Sequence, residues 1–181
     1  YVASGAGLEL VDARVRDNVA EARNNGDVYG GGIYVAPRGH IDVIRSRIYE
    51  NVIETGNRGD GSGGGLYSAR DAEVEVTDSE IRDNAIQISN TGSASGGGLC
   101  LETSNSQISH STIAGNSVTT EDHGASLGGG ICLRGGQALV KENEILQNQA
   151  IGTGNPNYGD DIHVGGGGIL VGSRWSPYDI Y

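Results

Sequence analysis

Three carboxylates recur along this sequence at a spacing of 33 residues, and their type and rhythm could support chemistry. They are Glu9, Asp42 and Glu75, and the positions that continue the row are Gln107 and Leu139. Stacked carboxylates could act as acid and base on a polysaccharide, could hold Ca²⁺, or could be a solvated face. Lyase chemistry would also want a basic side chain nearby, but the only lysine, Lys141, lies two repeats away. We therefore assign no catalytic residue and expect a non-enzymatic protein.

A second pair of acids gives a weak candidate for a Ca²⁺ site. The stretches 24–27 and 57–60 match at the same 33-residue step and end in Asp27 and Asp60. Ser93 and Ala125 continue this column, so any such array would be short. The acidic stretch 159–161 has no partner in register, and the four histidines share no column, which argues against a histidine metal site. We expect no cofactor apart from this weak Ca²⁺ possibility. The tripeptide 58–60, an integrin-binding sequence elsewhere, is short enough to arise by chance.

The two cysteines, Cys100 and Cys132, fall at equivalent positions of consecutive repeats. Neighbouring strands lie about 4.8 Å apart, which is within the Cα range of a disulfide. Because both Cβ atoms would point the same way, such a bond would be somewhat strained, and two free thiols are the alternative. A disulfide would favour an oxidising, extracellular setting. No thiolate-activating neighbour is evident in the sequence, so we do not expect a catalytic cysteine.

Composition limits the fold and the partners. The chain has 181 residues, 32 glycines, three prolines, no Phe, no Met and a net charge of −11. This charge disfavours nucleic acid as a partner. No run of 18 apolar residues is present, so we expect no membrane insertion. A core without Phe or Met must be built from Ile, Val, Leu and Ala, which suits a narrow, layered interior.

Two motifs repeat in phase through the whole chain. Runs of glycine followed by Ile or Leu predict a ladder of glycines: Gly32, Gly65, Gly98, Gly130 and Gly168. The pattern Ile/Val-x-x-Asn predicts a ladder of asparagines: Asn18, Asn51, Asn84, Asn116 and Asn148. We expect the glycines where a Cβ would not fit or where φ is positive, and the asparagines at a turn where stacked amides bond one another and the backbone. A small polar row accompanies them: Ala13, Ser46, Ser79, Ser111 and Asn143.

Apolar residues alternate with polar ones over short segments inside each repeat, which predicts strands with one buried face. We predict an all-β, single-stranded parallel β-helix (a solenoid) of about five coils, each with roughly 33 residues and three short strands. Residues 1–181 form one domain, with non-repeat tails at 1–7 and 172–181. The stretches 54–62, 87–95, 117–127 and 149–164 are expected to be loops on one edge.

The glycine-run and Ile-x-x-Asn motifs resemble the repeats of polymorphic outer membrane proteins and, more widely, the pectin-lyase-like group of right-handed β-helices. The likeness covers about residues 8–171. It implies a right-handed helix, and the members of this group include polysaccharide lyases and hydrolases, adhesins, tailspikes and secreted surface proteins.

Both ends of the repeat are expected to be incomplete. The first residues match second and third strands, whereas residues 168–171 match a first strand, so one copy's tail coil could be completed by the next copy's head. Such head-to-tail contact makes an open fibre. The expected contact residues are Tyr1, Leu8, Leu10, Ile169, Val171, Trp175, Tyr178 and Tyr181.

Three functions follow from these observations. The first is an extracellular structural protein that polymerises head to tail with itself. The alternative is an excerpt of a surface adhesin or binding module that recognises glycans or a host protein through loops 54–62 and 149–164. A polysaccharide lyase or hydrolase is the third. For all three we expect an extracellular or cell-surface location.

Overall fold

The chain winds into a parallel β-solenoid. The computed structural model describes residues 1–56, 58–102, 104–121, 124–152, 162–164 and 168–172; for 104, 105, 164 and 168–172 only the backbone is described. All paired strands are parallel, and each coil pairs with the next at a step of 33 or 32 residues through most of the chain. The described residues make about four turns and contain no helix, and therefore no helix long and apolar enough to cross a membrane.

Five sheets run along the solenoid axis. Sheet A contains β5 (Ile33–Val35), β10 (Leu66–Ser68), β15 (Leu99–Leu101), β20 (Ile131–Leu133) and β24 (Ile162–Val164). Sheet B contains β1 (Gly7–Val11), β6 (His40–Ile44), β11 (Glu73–Thr77), β16 (Ser104–Ser109), β21 (Gly136–Lys141) and β25 (Gly168–Gly172). Sheet C contains β2 (Arg14–Arg16), β7 (Arg47–Tyr49), β12 (Glu80–Arg82), β17 (Thr112–Ala114) and β22 (Glu144–Leu146).

The other two sheets overlap in part with the stretches 54–62, 87–95, 117–127 and 149–164, where the sequence predicts loops. Sheet D contains β3 (Val19–Ala22), β8 (Val52–Thr55), β13 (Ala85–Ile88), β18 (Ser117–Thr120) and β23 (Gln149–Gly152). Sheet E contains β4 (Val28–Tyr29), β9 (Gly61–Ser62), β14 (Ala94–Ser95) and β19 (Ser126–Leu127). A coil therefore has five short strands and not three. The strands of sheet D alternate buried and more exposed residues, as in β13 with Ile86 and Ile88 buried, whereas the strands of sheet E have only two residues each.

The interior consists of two parallel stacks of aliphatic side chains. The larger stack fills the space between sheets A, B and C and includes Ile48, Leu66 and Ile81, all fully buried. The smaller stack lies under sheets D and E and includes Ile53 and Ile86. Each buried aliphatic side chain contributes roughly 1.5–3 kcal/mol relative to an exposed one. Neighbouring coils present the same kind of side chain at each level, so the layers fit one another.

Asparagines form a continuous hydrogen-bonded ladder between these stacks, as predicted. The Asn84 Oδ1 atom accepts the backbone N–H and the side-chain Nδ2–H of Asn51, at 3.1 and 2.9 Å. The Asn84 Nδ2 atom donates to the carbonyl oxygen of Ile48 and to Asn116 Oδ1, both at 3.0 Å. The ladder satisfies buried backbone groups at the corner between sheets C and D, where no strand can do so.

The small polar row forms a second ladder at the corner between sheets B and C. The backbone N–H of Ser46 donates to Ser79 Oγ at 3.0 Å, and that of Ser79 donates to Ser111 Oγ at 3.1 Å. Left-handed residues stand just before both ladders, for example Arg45 at φ 46° and Glu50 at φ 55°. One left-handed residue is enough to turn the chain through each corner.

The last described coil differs from the prediction. Ile162 pairs with Ile131 and thereby continues sheet A, whereas Ile169 pairs with Ala138 in sheet B. Gly168 lies opposite Gln137 and is not the next rung of the glycine ladder. The run of glycines before Ile169 therefore matches the glycine motif in sequence, but it precedes a strand of sheet B and not of sheet A.

The first residues also differ from the prediction of a non-repeat tail. Val2 bridges to Val35, and the Tyr1 ring stacks on the Tyr34 ring, so both continue the rows of sheet A. The sequence therefore misassigns strands near both ends: residues 1–2 continue sheet A, and residues 168–172 continue sheet B.

Candidate functional site

A groove on the outside of sheet D crosses four consecutive coils. Its floor is an outward row at equivalent positions of β3, β8, β13 and β18: Glu21, Glu54, Gln87 and Thr119. Its rim is formed where the chain leaves sheet D: Arg23, Gly56, Ser89 and Glu121. The cavity measures about 540 Å³, and Ala22, Thr55 and Ile88 complete its lining.

The charges of the groove are only partly compensated. Arg23 Nε lies 2.9 Å from Glu21 Oε1, which holds the Arg23 guanidinium at one end. Glu54 and Glu121 add two more carboxylates. The groove therefore offers hydrogen-bond acceptors from carboxylates, both donor and acceptor from the Gln87 amide, and hydroxyl groups from Thr119 and Ser89.

The candidate acids of sheet B do lie in one row. Glu9, Asp42 and Glu75 are direct neighbours, followed by Gln107 and Leu139. His40 stands beside them, with Nε2 at 3.0 Å from Asp42 Oδ1 and Nδ1 at 3.5 Å from Glu73 Oε2. His40 thus contacts one member of the row, Asp42, and Lys141, at the far end of the same sheet, pairs with Glu142 at 3.3 Å.

Asp27 and Asp60 have a structural role. Asp27 Oδ1 accepts the backbone N–H of Asp60 at 2.9 Å, and Asp60 Oδ1 accepts the backbone N–H of Ser93 at 2.7 Å. The two carboxylates thus stack the turns between sheets D and E. No group of three or more His, Cys, Asp or Glu side chains among the described residues could hold a metal ion. Gly59, the middle of the integrin-like tripeptide, is buried in this stack.

Sheets A and E meet at a concave outer corner that buries unusual side chains. Outward positions of sheet A carry a single column: Tyr34, Tyr67, Cys100, Cys132 and His163. The Tyr34 and Tyr67 rings stack with centroids 5.4 Å apart, and Tyr29 of sheet E lies 4.8 Å from Tyr67. The rings cover one another along the axis, so this column packs the corner.

Cys100 and Cys132 stand opposite each other in β15 and β20, in the predicted register. Both are free and fully buried in the structure. Arg134 lies against them: its Nη2 atom donates to Ser95 Oγ at 2.8 Å and its Nη1 atom to Glu102 Oε1 at 3.3 Å. Sequence reasoning missed this basic neighbour.

A family model described as "Right handed beta helix region" matches residues 23–171, which is most of the chain. The chain belongs to this right-handed β-helix family. The match also supplies the handedness, which sequence reasoning took from a resemblance. The narrower likeness to the repeats of polymorphic outer membrane proteins stays a prediction. Searches of curated proteins and of solved structures found no match to this β-helix.

The expected subunit contacts lie at several places on this β-helix. Tyr1 is 83% exposed, and Leu8 is more exposed than Leu10, which packs against the larger interior stack. Ile169 and Val171 belong to β25. Trp175, Tyr178 and Tyr181 lie outside the described residues, as do residues 153–161 of the predicted loop 149–164.

Proposed function

We propose that this β-helix is a non-catalytic, extracellular or cell-surface binding module that holds an extended neutral glycan in the groove on sheet D. The observation that carries the proposal is the repetition of the groove: four coils contribute equivalent side chains to one continuous cleft. Coils repeat at about 4.8 Å, a rise close to the length of one sugar residue in an extended chain. A polymer can therefore meet one rung per residue.

The chemistry of the rungs favours a polyhydroxyl ligand. The Glu54 carboxylate accepts hydrogen bonds from hydroxyl groups, and the Gln87 amide both donates and accepts. Ala22, which is partly exposed, offers a small apolar surface for the C–H face of a sugar ring. The uncompensated carboxylates repel anionic polymers, so we propose a neutral glycan. Such polymers lie at cell surfaces, which is why the proposal includes that location.

Affinity electrophoresis of the purified protein in gels that contain neutral or anionic polysaccharides tests this proposal. Retardation by a neutral polymer, and none by a polyuronate, is the expected result. Glu54→Ala and Gln87→Ala should each weaken binding by about tenfold, since each removes a hydrogen-bonding group of order 1.4 kcal/mol. Glu9→Ala, on the outward face of sheet B, is the matched control. Equal retardation of Glu54→Ala and Glu9→Ala would remove the groove from the proposal.

The second candidate function is the extracellular fibre of head-to-tail copies. It is favoured by the interior row of the first coil: Leu8 is 37% exposed, whereas its neighbour Ile41 in the next coil is fully buried. A coil of a second copy stacked on this face would bury Leu8. Negative-stain microscopy over a range of concentrations tests the idea. Filaments that Leu8→Asp abolishes and Glu9→Lys retains would support it, and a monomer at every concentration would defeat it.

A further inference from the structure

The thiol pair in the corner between sheets A and E lies beside an arginine and a glutamate. Cys100 and Cys132 are direct neighbours on adjacent parallel strands, and both are fully buried. Arg134 follows Cys132 by two residues and therefore lies on the same face of the chain. Glu102 has the same relation to Cys100, and the Arg134–Glu102 contact holds the guanidinium over the pair.

The two sulfurs differ in their electrostatics. The Cys100 S–H group donates to Cys132, which lowers the pKa of Cys132; burial opposes this, and the charge of Arg134 with hydrogen bonds from Arg134 and Ser95 reinforces it. The same hydrogen bond, burial and the repulsion of a second charge raise the pKa of Cys100. Cys132 is thus the first to lose its proton. The other titratable or charged groups that face the pair are Glu102, Tyr67 and His163.

We propose that Cys100 and Cys132 form a peroxide-reactive dithiol in which Cys132 is the nucleophile and Cys100 resolves the intermediate. The proposal is independent of the groove on sheet D, which lies on another face. A thiolate that lies near a cation and beside a second thiol is readily oxidised by peroxides that are small enough to reach it.

The reaction balances with hydrogen peroxide as the oxidant. The Cys132 thiolate attacks one peroxide oxygen, the O–O bond breaks, and hydroxide leaves while Cys132 becomes a sulfenic acid. The Cys100 sulfur then attacks the Cys132 sulfur, the S–O bond breaks, and a second hydroxide leaves. One proton from Cys100 and one from solvent convert the two hydroxides into water. The two thiols lose two electrons in all, and the peroxide is reduced to two waters.

Both sulfurs are shielded from solvent, which favours a small oxidant over a bulky one. Tyr67 and Leu127 pack around the pair, while the Arg134 side chain is 32% exposed. The guanidinium therefore connects solvent to Cys132. Buried cysteines can also serve only as small apolar side chains, and the experiment must separate the two roles.

Peroxide treatment followed by mass spectrometry tests the proposal. The reduced, folded protein is treated with hydrogen peroxide and alkylated in denaturant, and the masses of the intact protein and of its peptides are then measured. The expected product is a monomer that has lost two hydrogens, takes no alkyl group and regains both thiols with dithiothreitol. Oxidation of the folded protein should be at least about tenfold faster than in guanidinium, because only the fold places Arg134 beside Cys132. Slower oxidation of the folded protein would show that the pair only packs.

Variants assign the two roles. In Cys100→Ser, oxidation should stop at a sulfenic acid on Cys132, which dimedone traps. In Cys132→Ser, peroxide should oxidise Cys100 at least about tenfold more slowly than it oxidises Cys132 in the parent. Arg134→Gln keeps both thiols and should slow oxidation at pH 7 with recovery at higher pH, whereas Arg134→Lys should retain most of the rate. Equal rates in Arg134→Gln and the parent at every pH, or equal reactivity of Cys100 in Cys132→Ser, would overturn the mechanism.

Discussion

Gly65 packs directly against Asn84 of the same coil. A Cβ atom on Gly65 would lie 3.0 Å from Asn84 Nδ2 and 2.7 Å from the carbonyl oxygen of Gly98 in the next coil. The same contact joins Gly32 to Asn51 and Gly98 to Asn116. The two motifs keep a common rhythm in the sequence because each asparagine amide occupies the space that a side chain on the glycine would need.

Replacing this glycine should therefore destabilise the solenoid. Gly65→Ala should lower the free energy of unfolding by roughly 1–3 kcal/mol, because neither the Gly98 carbonyl nor the bonded Asn84 amide can move away. Urea unfolding followed by circular dichroism measures the change. Gly7→Ala is the matched control, since its Cβ would meet nothing within 4 Å. Similar losses in both variants would contradict the steric argument.

The asparagine ladder should be weakest at its first rung. Asn84→Ala removes bonds to Asn51, Ile48 and Asn116 inside the protein and should cost about 2–4 kcal/mol, because buried donors and acceptors lose their partners. Asn18 is exposed and donates only towards Asn51. Asn18→Ala should accordingly cost less than about 1.5 kcal/mol. Denaturant midpoints compare the two; equal costs would mean that burial does not set the strength of a rung.

The Asp12–Arg45 pair should give a stabilisation that disappears in acid. Arg45 donates to both oxygens of Asp12, at 3.0 and 3.1 Å, and lowers the pKa of that carboxyl. A lowered folded-state pKa stabilises the fold above the unfolded-state pKa and ceases to do so as the pH falls through the folded value. The difference in melting temperature between the parent and Arg45→Gln should therefore shrink as the pH falls below the ordinary aspartate pKa of about 3.9. The same difference in melting temperature should also shrink in 1 M salt, whereas the difference between the parent and Arg14→Gln should not.

Tyr67 should limit stability in alkali. Burial, followed by the charge of Glu102 and a hydrogen bond to it, raises the pKa of the Tyr67 hydroxyl. Above the ordinary tyrosine pKa of about 10, the unfolded chain can ionise this group while the folded chain cannot, so stability falls as the pH rises. Tyr67→Phe should flatten this alkaline limb in thermal melts, and Tyr1→Phe should leave it as it is. An unchanged limb in Tyr67→Phe would show that other groups control it.

Most of the fold could be predicted because the ladders are local rules repeated at a fixed step. The register of Ile48 on Ile81 and of Cys100 on Cys132 follows from counting alone. The prediction was wrong at the end of the repeat, where the glycines before Ile169 match the glycine motif and suggest Ile169 as the neighbour of Ile131. The true neighbour of Ile131 is Ile162, and its step of 31 residues was the closer match to the repeat.

The candidate sites were harder to predict because they form where different sheets meet. The groove uses the row of Glu54 and Gln87, within stretches that the polar composition presents as loops. Arg134 lies two residues after Cys132. Had the predicted strand been continued to residue 134, the alternation of side chains would have placed Arg134 on the same face as the thiol. The approach of Ser95 from sheet E could not be found in this way, since only the tight glycine corner brings sheets A and E together.

The corner between sheets A and B shows how such a protein can change in size. The step between coils drops from 33 to 32 residues there, between Leu101 and Ser106, while the strands on either side remain paired. The loss of a single residue is thus absorbed at this bend, whereas a whole coil can be duplicated without disturbing its neighbours. Each duplicated unit would lengthen the cleft on sheet D by one rung, so the reach of the molecule for a polymer could grow by gene duplication alone.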